Sequence, residues 1–172
     1  FVFFLCSTLL LEIIFALSIF DSYEKEGIIN IFLYSLILSS CFSIASGVFK
    51  DKVNRIITSI ILGIEGLLFS IQLVFYNVFK TFFSFNMMGL GDQLESFLKE
   101  TFTAIFSNLF YIILFFLPFI IYLVRGKKIK LARNNLKNYL IYGIILCFSM
   151  GFFFIHMYKT KGIDNGTYML YH

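Results

Sequence analysis

KDKVNRIITSIILGIEGLLFSIQLVFYNVFK, running from Lys50 to Lys80, decides how this chain is read. Lys50, Lys52 and Arg55 open it, and residues 56–79 then pass with no basic side chain and one carboxylate, Glu65. A helix rising about 1.5 Å per residue needs roughly twenty apolar residues to cross about 30 Å of hydrocarbon. Residues 56–79 meet that requirement, and four further runs do the same, at 1–20, 28–49, 104–124 and 139–158. The expected fold class is all-α: a polytopic membrane bundle of five transmembrane helices over 1–158, followed by a polar segment, 159–172.

The charges between the runs give the expected orientation. Lys50, Lys52 and Arg55 fall in one short loop, and Arg125, Lys127, Lys128, Lys130, Arg133 and Lys137 fall in another. On the other side Lys25, Lys80, Lys99, Lys159 and Lys161 are diluted by Asp21, Glu24, Glu26, Asp92, Glu95, Glu100 and Asp164. Short loops rich in Lys and Arg stay in the cytoplasm. A multi-pass protein of the cell membrane is expected, with its N-terminus cytoplasmic and its C-terminus extracellular.

Composition agrees, with 59% of residues hydrophobic and only 14% charged. A soluble domain would need a polar face on its helices, and these runs have none. The net charge of +4 therefore follows the anionic inner leaflet and not a nucleic acid. The chain opens at Phe1 inside an apolar run, which reads as a truncated start, and no small-residue cleavage site follows to suggest a signal peptide. Cys6, Cys41 and Cys147 lie within spans, where they act as small apolar residues. His156 and His172 have no spacing that suggests a metal, and no nucleotide-binding, nucleophile-elbow or zinc-protease motif is present.

Small residues predict where spans touch. Ser35, Ser39, Ser43 and Gly47 recur every fourth residue, Ser59 with Gly63 and Gly66 with Ser70 mark run three, and Gly143, Cys147 and Gly151 mark run five. In lipid such residues let backbones approach closely. Pro118, the only proline, should kink run four or leave a carbonyl for a neighbour to satisfy. Glu12 lies about 13 Å below the boundary marked by Asp21, and Glu65 about 15 Å above that marked by Arg55, so their depths nearly coincide. Intramembrane carboxylates are candidate functional groups, and two that face each other cannot both ionise. They serve either as structural polar contacts or as a site in a small transporter or substrate-binding subunit. A plain membrane scaffold is a third alternative.

Between runs three and four, Asp92 makes a plausible N-cap with Glu95 three residues on, and Leu94, Phe97, Leu98 and Phe102 fall at helical spacing. An amphipathic helix over about 92–103, lying along the outer surface, is expected. Lys80, Asn86, Gln93 and Lys99 are candidate lipid-headgroup residues, since an ammonium and amide donors at that level suit a phosphate.

The segment Ile71–Phe97, IQLVFYNVFKTFFSFNMMGLGDQLESF, resembles the membrane domain of the lipoteichoic acid synthase family. The resemblance rests on Phe75, Tyr76 and Phe79, on Phe82, Phe83 and Ser84 after Lys80, and on Gly91, Gln93 and Phe97. It extends over the whole chain in topology but in motif over this segment alone. It implies five spans that anchor an extracellular domain of the sulfatase/alkaline-phosphatase superfamily, which transfers glycerol phosphate from phosphatidylglycerol. The nucleophile and manganese ligands implied by the family belong to that extracellular domain. No catalytic residue, metal ligand or cofactor is therefore expected within 1–172, and the expected partners are membrane lipids and the chain's own catalytic domain.

Overall fold

A computed structural model describes residues 1–19, 25–49, 51–84, 97–126 and 135–159. Among them the chain forms seven helices and no strand: α1 (Val2–Ile19), α2 (Lys25–Ser46), α3 (Asp51–Phe79), α4 (Leu98–Ser107), α5 (Leu109–Phe115), α6 (Leu117–Arg125) and α7 (Leu136–Lys159). Four of them, α1, α2, α3 and α7, are long and apolar enough to cross a membrane, or five spans result if the bent pair α4–α5 counts as one. At 29 residues α3 is about 43 Å long, which exceeds the hydrocarbon and leaves its ends to the interfaces.

The packing is inverted relative to a soluble protein. Ser7, Thr8, Ser35, Ser39, Ser40, Ser43, Ser46, Asn54, Thr58, Glu65, Ser70 and Ser149 are buried, while Val124, Leu136, Phe148 and Tyr158 are more than three-quarters exposed. Water would penalise that arrangement, and hydrocarbon favours it. This is a membrane protein.

Ring contacts set the directions of the helices. Phe1 stacks on Tyr142, Phe4 meets Phe42, Phe3 meets Tyr122, Phe15 meets Phe69 and Phe115, and Tyr34 meets Phe153. Thus α1, α3 and α7 run one way, whereas α2 and the α5–α6 leg run the other. Lys52, Arg55, Arg125 and Lys137 consequently gather at the end of the bundle that carries Phe1, and Lys80, Lys99 and Lys159 at the opposite end.

The fourth run departs from expectation. It is not one helix over 104–124 but three pieces, with α4 bent by 71° from α5. At the bend Asn108 turns both its backbone N–H and its side-chain amide onto the Ala104 carbonyl, at 3.1 and 2.8 Å, so the interruption leaves that carbonyl satisfied. The second break lies at Phe116, whose N–H donates to Ile113 three residues back at 3.2 Å. Pro118 follows and has no N–H to offer Leu114, so the helix restarts instead of continuing through. Of the amphipathic helix expected over 92–103, residues 92–96 lie outside the described residues, and the observed helix begins at Leu98 and continues to Ser107.

Small residues are used on α2 and α3 but not on α7. Ser35, Ser39, Ser43 and Gly47 are all buried, and the hydroxyls of Ser39 and Ser43 donate to carbonyls of their own helix at 3.1 and 2.6 Å, which leaves a thin, smooth face. Gly66 marks the tightest approach: a Cβ there would stand 2.8 Å from the Phe115 carbonyl oxygen and 3.2 Å from the Phe116 ring. Gly143 and Gly151 have nothing within 4 Å, and Cys147 is exposed, so the expected packing stripe of run five faces outward.

Gly66→Ala should therefore push α3 off the fourth run and cost about 1–3 kcal/mol, whereas Gly143→Ala should be neutral or mildly stabilising. Thermal unfolding of both variants in detergent checks this, and equal effects would contradict the packing described.

Candidate functional site

Two regions carry chemistry-bearing side chains. The first is the α3 end opposite the basic end. Helix α3 closes on Lys80, whose N–H donates to Tyr76 at 2.8 Å and whose φ of 53° places it in the left-handed region. The chain then folds back over α3, and Gln72 holds it there. The Phe83 N–H donates to Gln72 Oε1 at 2.9 Å, and Gln72 Nε2 donates to the Phe83 carbonyl at 3.0 Å. Both backbone groups of Phe83 are thereby satisfied by one side chain, which a turn at a membrane boundary requires.

Aromatic rings fill the turn. Phe82 stacks on Tyr76 at 5.2 Å and reaches Phe15 at 5.9 Å, and Phe83 meets Phe75 edge-on at 5.4 Å. Phe97 packs edge-on against Phe79 at 5.2 Å, which holds the start of α4 against this end of α3. Lys80 is exposed with its ammonium 5.8 Å from the Tyr76 ring centroid, within cation–π range. Lys99 is also exposed, two residues beyond Phe97. Of the four headgroup candidates the structure thus brings Lys80 and Lys99 to the same end, while Asn86 and Gln93 lie outside the described residues. The arrangement offers cations on a rigid aromatic platform, a geometry suited to meeting an anionic group at a membrane surface.

The second region is intramembrane. Glu65 is 4% exposed, and neither of its carboxylate oxygens has a hydrogen-bond partner. Glu12 lies within electrostatic reach of Glu65 and also of Tyr34. Nearer the basic end, the Tyr122 hydroxyl lies beside Thr58 and within electrostatic reach of Arg55. Asn54, fully buried, accepts from the Phe49 N–H at 3.0 Å and ties the α2–α3 connection to α3.

Gln72 was not singled out from the sequence, although a signal for it exists. Thr58, Glu65 and Gln72 stand seven residues apart on an otherwise apolar helix, so they share one face. A polar heptad inside a span marks buried contacts. Among the described residues no three of His, Cys, Asp and Glu come close enough to hold a metal ion.

Gln72→Leu should remove the hydrogen bonds that Gln72 gives to and takes from the Phe83 backbone, costing about 1–3 kcal/mol and loosening the turn at 80–84. Hydrogen exchange at Phe82 and Phe83 measures this directly, and unchanged protection would show that the rings alone hold the turn.

Compared with protein-family models, with curated proteins and with solved structures, the chain matches none.

Proposed function

We propose that this chain is the multi-pass cell-membrane domain of a phosphoglycerol transferase built on the lipoteichoic acid synthase-like plan. In this reading its N-terminus is cytoplasmic, and the end of the bundle bearing Lys80 faces outward. That end presents an anionic phospholipid, of the phosphatidylglycerol class, to an extracellular catalytic domain joined through the segment beginning at 159. The observation that carries the reading is the Lys80 turn: an exposed ammonium on an aromatic platform pinned by Gln72, beside a helix set at 71° to the next. A helix at that angle beside a bundle end suits the interface plane, with Phe102 and Phe106 directed to lipid and Lys99 and Glu100 to headgroups. The α5–α6 leg then completes the fourth of five crossings. Further support comes from the basic residues at the opposite end, which suits the cytoplasmic side. Chemistry, nucleophile and manganese belong to the extracellular domain, and the part of this chain is to hold and orient lipid.

Two experiments test the reading. Single cysteines placed at Lys128 and Asp164, in a background without Cys6, Cys41 and Cys147, should be labelled by an impermeant thiol reagent in intact cells only at 164. Labelling at 128 would reverse the orientation. In the protein carrying its catalytic domain, Lys80→Gln keeps a polar side chain at the boundary, so insertion should be unchanged while phosphatidylglycerol turnover falls about tenfold or more, the loss of one charge-assisted contact. Unaltered turnover would reduce Lys80 to an anchor of α3.

A further inference from the structure

Glu65 lies in a polar layer between two apolar clusters. Toward the basic end Phe4, Leu62 and Tyr122 close on one another, and toward the opposite end Leu11, Phe15, Leu73 and Phe115 do so. Along α3 the buried residues between them are Glu65, Gly66 and Ser70, and along α1 they bracket Ser7 and Thr8. Glu12 stands one turn beyond Thr8 on α1, half-buried and within electrostatic reach of Tyr34 on α2 and of Glu65 on α3. The antiparallel contact of Phe4 with Phe42 sets the register of α2 and brings Ser39 and Ser35 to the level of Thr8 and Glu12. Tyr34 lies within electrostatic reach of Glu12, in keeping with that register.

The donor set at this level is oxygen. Ser35 is fully buried with an unpartnered hydroxyl, and one turn beyond Tyr34 the buried amide oxygen of Asn30 is unpartnered as well. The hydroxyls of Thr8 and Ser39 donate to carbonyls of their own helices, at 2.9 and 3.1 Å, so they offer only lone pairs to the interior. The described basic side chains, Lys52, Arg55, Lys80, Lys99, Arg125, Lys137 and Lys159, are all exposed at the two ends of the bundle. Among the described residues the layer therefore holds carboxylates and several acceptors without a basic side chain.

We propose that Glu12, Glu65 and the Ser35 hydroxyl form an intramembrane binding site for a hard monovalent cation of the sodium type. Hard cations take oxygen ligands, and soft or transition metals favour nitrogen and sulfur. A single positive charge with one retained proton makes the two-carboxylate layer neutral, which hydrocarbon surroundings demand. Both carboxylate oxygens of Glu65 then gain the partner that the described residues do not supply. The α1–α3 packing at Phe15 and Phe69 closes the site toward one end, and Phe4 and Leu62 close it toward the other. This site is separate from the Lys80 turn, and its existence does not depend on the lipid reading.

Sodium itself is the probe. Purified protein in lipid nanodiscs should melt roughly 2–4 °C higher in sodium chloride than in choline chloride of equal ionic strength at mildly alkaline pH, because a cation bound only by the folded state stabilises it. Glu65→Gln and Glu12→Gln should each abolish the difference between the two salts. Should either variant fail to fold, Ser35→Ala, which removes one neutral ligand and leaves the bundle's volume nearly unchanged, should reduce the difference. An identical melting temperature of the unsubstituted protein in the two salts would overturn the site. So would a sodium-specific shift that persists undiminished in every folded variant, since the cation would then bind elsewhere.

Discussion

Hydrocarbon offers a peptide group no partner, and this chain is shaped by where it satisfies that constraint and where it breaks it. Helices α1, α2, α3 and α7 satisfy it along their whole length. The fourth run interrupts its helix twice, at Asn108 and at Phe116, and both interruptions stand beside α3, the element in contact with α1, α2, α4, α5 and α6. Irregular backbone at membrane depth survives only when protein covers it. Gly66 provides the cover, since the missing side chain lets α3 lie directly on the carbonyl of Phe115. The central helix, the broken leg and the turn at Lys80 form one mechanical unit.

Much of that unit is written in the sequence, though unevenly. The five runs, the segregation of basic residues and the serine stripe of α2 follow from periodicity and charge, which depend on local spacing. That Glu12 comes within electrostatic reach of Glu65 also follows, because depth in a membrane is a coordinate that sequence position measures. The break of run four at Asn108 does not, since an asparagine that folds its amide back onto a helix carbonyl looks the same as one that faces a neighbouring helix. The outward face of Gly143 and Gly151 was equally hidden. Small residues permit close packing without dictating which neighbour arrives, and α7 meets α2 through the Tyr34 and Phe153 rings instead. Gln72 was legible only as part of a heptad with Thr58 and Glu65, and its partner, the Phe83 backbone, lies beyond a turn that local patterning does not describe.

The inverted interior separates two kinds of polar residue. Hydroxyls of Thr8, Ser39, Ser43 and Ser70 donate to their own helix and make surfaces thin, so they serve packing. Glu65, Ser35 and the Asn30 carbonyl do not satisfy themselves in this way. A chain selected only for anchoring has no reason to keep an unsatisfied carboxylate between two aromatic layers, where an apolar residue of similar volume would be favoured. The two proposed functions therefore have separate seats in this fold: the Lys80 turn at one end and the layer around Glu65 inside.

Both seats depend on α1 and α3 running side by side in the same direction, with Phe4 against Leu62. Oxidative cross-linking in native membranes measures that arrangement most directly, with Phe4 and Leu62 replaced by cysteine in a background without Cys6, Cys41 and Cys147. The account predicts rapid disulfide formation within one chain for the Phe4→Cys, Leu62→Cys pair, and none for Leu10→Cys with Leu62→Cys, because Leu10 faces lipid. Cross-linking of the second pair in place of the first would contradict the register on which the polar layer and the outer turn both rest.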